Sequence, residues 1–103
     1  MEIKNPMEVF QNEAPEVAAA FNNLIGALSS TGGLDARTQQ LIYIGMKASQ
    51  GDAGAVIAHT PMAKQAGATR EELKDTILLT LTVSGIKGVV TCLQGALSAY
   101  DNC

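Results

Sequence analysis

Apolar side chains recur at intervals of three and four along most of this chain, the period of a helix with one buried face. The clearest stripe is Val17, Ala20, Phe21, Leu24, Ile25 and Leu28, on a helix that Pro15 opens. A second runs through Leu41, Ile44, Gly45 and Ala48, and a last one through Val89, Leu93, Ala96, Leu97 and Tyr100. Between the stripes stand polar caps and glycine stops, so the pattern predicts about six helices and an all-α fold.

The punctuation sets the boundaries. Asn5-Pro6 reads as a cap and a first-turn proline opening a short helix from Met7 to Glu13. The SSTGG stretch at 29–33 is a loop, and Asp35 caps a helix over Ala36–Gln50 that Gly51 stops. Asp52 caps the next, Ala53–Ala66, with Gly67 suited to the left-handed residue past its end. Thr69 and Glu72 form a T-x-x-E capping box before a helix over Arg70–Ser84. Gly85 separates that helix from the last, Ile86–Tyr100. Pro61 falls inside the fourth helix, where it removes the hydrogen bond to the Ile57 carbonyl and favours a kink beside His59.

The run ILLTLTV at 77–83 suits a buried strand by composition. The preceding capping box and the spacing of Leu73, Ile77 and Leu81 decide for helix. That helix is apolar nearly all round, and such a helix must be covered on every side. In so short a chain the natural cover is another subunit, so a homo-oligomer is expected.

Composition narrows the class. A chain of 103 residues is one domain, residues 1–103. Aromatics make up only 4%, so the core is built from Ala, Leu, Ile and Val. The net charge is −3 and the seven basic residues are scattered, which leaves no footprint for nucleic acid. No stretch approaches the roughly 18 apolar residues of a membrane span. The start, MEIKNPMEVF, lacks a basic segment followed by a long apolar run and does not read as a signal peptide. A cytoplasmic protein is expected.

The two cysteines make no disulfide framework. Eleven residues apart on one straight helix, Cys92 and Cys103 stand roughly 16 Å apart. A disulfide needs Cα atoms within about 7 Å. Cys92 reads as a small core residue and Cys103 as a frayed terminal thiol. Neither has a helix N-terminus or cation nearby that would activate it.

Candidate chemistry is sparse. One histidine and no cysteine at ligand spacing point to no metal site, and there is no phosphate-binding glycine loop or nucleophile elbow. What remains converges by helix geometry. His59 lies one turn from Ala55 on one face, with Asp52 just before that helix. Gln40 and Tyr43 sit on the preceding helix, which the Gln50-Gly51 turn folds back antiparallel. His59 is the candidate acid or base, with Gln40, Tyr43 and Asp52 at its edges. Lys47 and Lys64 read as ordinary solvated helix residues.

Three segments carry a family resemblance: LDARTQQLIYIG from Leu34, AHTPMAKQAGATREELKD around His59, and the stretch from Gly85 to Val90. Together they resemble the carboxymuconolactone decarboxylase family, which includes the alkylhydroperoxidase D-type (AhpD-like) proteins. The resemblance implies a helical, cofactor-free protein that assembles as a trimer or hexamer. The peroxidase branch carries a glutamate, eleven residues, C-x-x-C, three residues and a histidine. Counted back from His59, those positions are Gln40, Asp52 and Ala55. Without sulfur there, thiolate attack on a peroxide is closed, and glutamine cannot ionise as the glutamate would. The decarboxylase branch also lacks the cysteine pair and keeps the histidine. Arg37 and Arg70, the nearest arginines for a polycarboxylate, sit at helix starts.

Three functions follow from this. One is acid–base chemistry on a small lactone or organic acid through His59. Another is a redox-silent binding or structural oligomer. The third, a thiol oxidoreductase using Cys92 or Cys103, is disfavoured.

Overall fold

The structure, a computed structural model, describes residues 5–103; the extreme N-terminal reading at residues 1–4 lies outside them. The described chain is helical and forms two compact units, one ending at Gly33 and one spanning Leu34–Cys103.

The first unit is a helical hairpin of α1 (Pro6–Glu13) and α2 (Pro15–Ser29). Asn5 Oδ1 accepts from the Met7 amide at 2.8 Å, so the cap is where the sequence places it and the helix starts one residue earlier, at Pro6. Phe10 and Phe21 meet edge to face, with centroids 6.0 Å apart. In α2 only Ala18 is buried, while Val17, Leu24, Ile25 and Leu28 stay exposed. Two short helices have too little surface to cover the stripe that the periodicity predicts.

The second unit holds the core. It comprises α3 (Ala36–Ser49), α4 (Ala53–Gln65), α5 (Arg70–Leu79), α6 (Leu81–Ser84), a π-helical turn at Val89–Leu93, and α7 (Gln94–Asp101). Counting α5–α6 and the π turn with α7 as two interrupted helices, the described chain has six helical bodies. Asp35 Oδ1 accepts from Thr38 N at 2.7 Å and starts α3. At its end Gly51 adopts φ 75°, its amide bonds to Ala48 O, and the Asp52 amide bonds to Lys47 O. This is a Schellman stop. Asp52 then caps α4 through Ala55 N at 3.1 Å, so a single residue ends one helix motif and begins the next. The same stop recurs after α4, where Gly67 (φ 102°) bonds to Lys64 O and Ala68 to Ala63 O. The capping box of α5 is complete, with Glu72 N to Thr69 Oγ1 at 3.0 Å and Thr69 N to Glu72 Oε1 at 2.8 Å.

Two expectations need correction. The fifth helix is interrupted at Thr80. There the hydroxyls of Thr80 and Thr82 donate to Ile77 O and Leu79 O, three residues back. Hydroxyls bonding to carbonyls of the preceding turn compete with the regular helix ladder. The last helix is not uniform either, because its first part is a π turn. Gly88, just before that turn, is pressed against Thr80 and the Ala48 carbonyl.

Ile44, Ala48, Val56, Ala63, Leu73, Ile77, Cys92 and Ala96 are fully buried together. Val89, Leu93, Leu97 and Tyr100, the predicted stripe of the last helix, pack against them. Each fully buried Leu or Ile stabilises the fold by about 1.5–3 kcal/mol. Polar ties close the end of the unit. The Tyr100 hydroxyl donates to Ala68 O at 2.8 Å, and Arg70 holds Asp101 through two bonds of 2.9 and 3.1 Å. Lys64 is no free surface lysine. Its ammonium donates to the carbonyls of Tyr100 and Cys103 and lies 4.6 Å from the Tyr100 ring centroid.

Candidate active site around His59

The Gly51 stop brings α4 back along α3. On α3, Gln40, Tyr43 and Lys47 stand three and four residues apart, the spacing of one helix face. On α4, His59 meets that face. Its Nδ1 lies 3.0 Å from Gln40 Oε1, and its ring packs on Tyr43 at a centroid distance of 4.0 Å and an interplanar angle of 31°. Gln40 and Tyr43, expected on the helix that the Gln50-Gly51 turn folds back, are both in contact with His59.

Asp52 is placed differently. One carboxylate oxygen caps α4 and the other lies 3.6 Å from Lys47 Nζ. It is tied to the site through Lys47, whose charge acts on His59. The Lys47 ammonium in turn stands 5.8 Å from the Tyr43 centroid. From the sequence alone Lys47 is an ordinary solvated helix residue; in the structure it stands on the site face. Its position seven residues beyond Gln40 was the available signal, since that spacing returns to the same face. Arg37 and Arg70 are engaged elsewhere, with Glu72 and Asp101 respectively. They leave the His59 site without a guanidinium.

The electrostatics follow from this packing. His59 is half-buried, and loss of hydration holds its pKa below the ordinary 6.5; the positive charge of Lys47 acts in the same direction. At neutral pH the imidazole is therefore neutral. An amide oxygen only accepts, so the proton of the neutral ring sits on Nδ1, and Nε2 carries the free lone pair. A base positioned in this way can take a proton from a bound molecule and return it.

A depression of about 280 Å³ lies beside Gln40, lined also by Ala36, Met62, Gln65 and Ala66. A larger groove of about 590 Å³ runs between α3 and the α5–α6 segment, along Leu41, Ile42, Met46, Leu79 and Val83. None of its lining residues titrates, so size and chemistry point to different places. The titratable candidate, His59, lies outside that groove. Cys92 is buried in the core and Cys103 is exposed at the chain end. The two positions one turn and two turns before His59 are occupied by Ala55 and Asp52.

Comparison with known proteins agrees with this architecture. The sequence profile of the carboxymuconolactone decarboxylase family matches residues 15–98. An uncharacterized protein of Methanocaldococcus jannaschii, MJ1511, is 30% identical over 98 residues, covering 94% of this chain and 92% of its own. An uncharacterized protein of Cupriavidus necator is 26% identical over 100 residues, covering 97% and 88% respectively. The crystal structure of apo-lpg0406, a carboxymuconolactone decarboxylase family protein from Legionella pneumophila, superposes with a TM-score of 0.82. It shares 27% identity, over 93% of this chain and 85% of that one. The chain belongs to the carboxymuconolactone decarboxylase family and has its all-helical, AhpD-like fold.

Proposed function

We propose that this protein performs cofactor-free acid–base chemistry on a small lactone or organic acid, with His59 as the group that moves the proton. One observation carries the reading: Gln40 Oε1 lies 3.0 Å from His59 Nδ1, which leaves the lone pair of a neutral imidazole on Nε2. Tyr43, stacked on the ring, holds its plane. The step is abstraction of a proton from the carbon next to a carbonyl, followed by its return to another atom of the same molecule. General base catalysis of this kind contributes about 10²–10⁴-fold in rate. The test is His59→Gln, assayed for proton exchange and turnover on a panel of small lactones and organic acids. Loss of both with helix content retained supports the reading. Undiminished exchange in the variant rejects it.

A second reading is a redox-silent, ligand-binding oligomer. Gln40 favours it, because an amide cannot ionise to relay a proton onward from His59. A wild-type protein that binds such acids, with no proton exchange on any of them, would decide for this reading.

Self-association belongs to both readings. Leu79, Val83, Ile86 and Val90 project from the α6 region and the start of the last helix, and all four are more than half exposed. Large exposed apolar side chains gathered on one stretch of chain mark an interaction face. The proposed partner is a second copy of the chain, in a trimer or hexamer.

A further inference from the structure

Most cations of the second unit have settled partners: Arg37 with Glu72, Arg70 with Asp101, Lys74 with Glu71, and Lys64 with two carbonyls. Lys47 is held loosely. Its ammonium is 3.6 Å from Asp52, beyond hydrogen-bond reach, and the Asp52 carboxylate already serves the Ala55 amide. The Lys47 side chain keeps 31% of its surface open and that of Asp52 keeps 46%. Lys47 stands one turn beyond Tyr43 on α3.

We infer that Lys47 is the anion-binding residue of the His59 site: it takes the carboxylate of a small organic acid, and Asp52 holds the ammonium in place until that carboxylate displaces it. The inference rests on the reading of His59 as the proton-transfer group and names the class of ligand that the group acts on. The geometry supplies the reason. Tyr43 packs on His59 with centroids 4.0 Å apart and lies 5.8 Å from the Lys47 ammonium, so a carboxylate anchored at Lys47 is held one aromatic ring away from the imidazole. Two carboxylates cannot share one ammonium without mutual repulsion, and Asp52 is exposed enough to turn to water. Binding also neutralises the charge that acts on His59, so the imidazole reports occupancy directly.

The experiment follows the His59 imidazole signals by NMR while succinate is added at millimolar concentration. The uncharged dimethyl ester is the control. The proteins are the wild type, Lys47→Met, Lys47→Arg and Asp52→Asn. Asparagine caps a helix as well as aspartate does, so the last variant removes the charge and keeps the cap. We expect a saturable shift and a raised His59 pKa with succinate, and none with the ester. Lys47→Met weakens binding about tenfold or more, as loss of a charged hydrogen bond does. Lys47→Arg retains it, and Asp52→Asn binds a few-fold tighter. No saturable shift in the wild type, equal affinity in a folded Lys47→Met, or weaker binding in Asp52→Asn overturns the inference. Its failure is separable from that of the acid–base reading. Lys47-dependent binding measured by calorimetry in His59→Gln, with no turnover in the wild type, upholds Lys47 and rejects the base. Turnover lost in His59→Gln, with succinate affinity unchanged in Lys47→Met, does the reverse.

Discussion

Gly88 lies against Thr80 with no room between them for a methyl group. A Cβ at Gly88 would stand 2.6 Å from Thr80 Oγ1 and 2.8 Å from the Ala48 carbonyl oxygen. The second contact is backbone and cannot turn aside. Gly88→Ala should therefore separate the last helix from α3 and destabilise the fold by about 1–3 kcal/mol or more. Gly26, inside α2, has open space where its Cβ would go. Gly26→Ala should stabilise by about 0.5–1 kcal/mol. Urea midpoints check both; an unchanged midpoint in Gly88→Ala would show that the helices can move apart freely.

The proposed self-association has a specific weak point. Leu79 is 68% exposed and Val83 79%, on a segment rich in large apolar side chains. Leu79→Lys places a charge where a second copy would dry it, and an unpaired buried charge is not tolerated. Sedimentation equilibrium should show an oligomer for the wild type and a 10.7 kDa species for the variant. A wild type that sediments only as the monomer contradicts the proposal.

Peroxide reduction should be absent. Ala55 and Asp52 occupy the positions where the peroxidase branch carries its thiols, and Cys92 is closed inside the core. A coupled assay with a small hydroperoxide should stay at background. Activity lost in Cys92→Ser would reopen the thiol reading.

The helix boundaries were legible in the sequence because their causes are local. The Asp35, Asp52 and Thr69 caps, and the glycine stops at Gly51 and Gly67, each act within a few residues of themselves. The Gly51 turn, equally local, folds α4 back along α3 and so brings Gln40 and Tyr43 to His59. The break at Thr80 lies with the Thr80 and Thr82 hydroxyls, whose bonds to carbonyls three residues back escape a reading of caps and apolar spacing. The π turn at Val89–Leu93 follows Gly88, which packs on Thr80 and Ala48 from a distant part of the chain, and no local pattern encodes that packing. Lys47 was missed for a related reason. Its significance comes from Tyr43 and Asp52 together, and a lysine on a helix surface has no local mark to distinguish it. The exposure of the α2 stripe was also hidden, since periodicity says which face is apolar and not what covers it.

Stability should carry a signature of His59 near neutral pH. Its folded pKa is depressed, so over the range just below 6.5 the unfolded chain binds a proton that the folded chain refuses. Stability is thus highest above 6.5 and is lost as pH falls from there through the folded pKa. The lowered carboxylates Asp35 and Glu72 act well below this window, under 3.8 and 4.5 respectively. Denaturation at pH 7.5 and at 5.5 should differ in the wild type and differ less in His59→Gln. Equal differences would place the effect elsewhere.

The contact between Gln40 Oε1 and His59 Nδ1 fixes which nitrogen is free, and the proposed chemistry depends on it. Imidazole ¹⁵N chemical shifts of His59, followed across pH, measure this directly. The account predicts a neutral ring at pH 7, protonated on Nδ1, with a pKa below 6.5 that rises when Gln40 is replaced by glutamate. A neutral ring protonated on Nε2, or a pKa above 6.5 in the wild type, would contradict it.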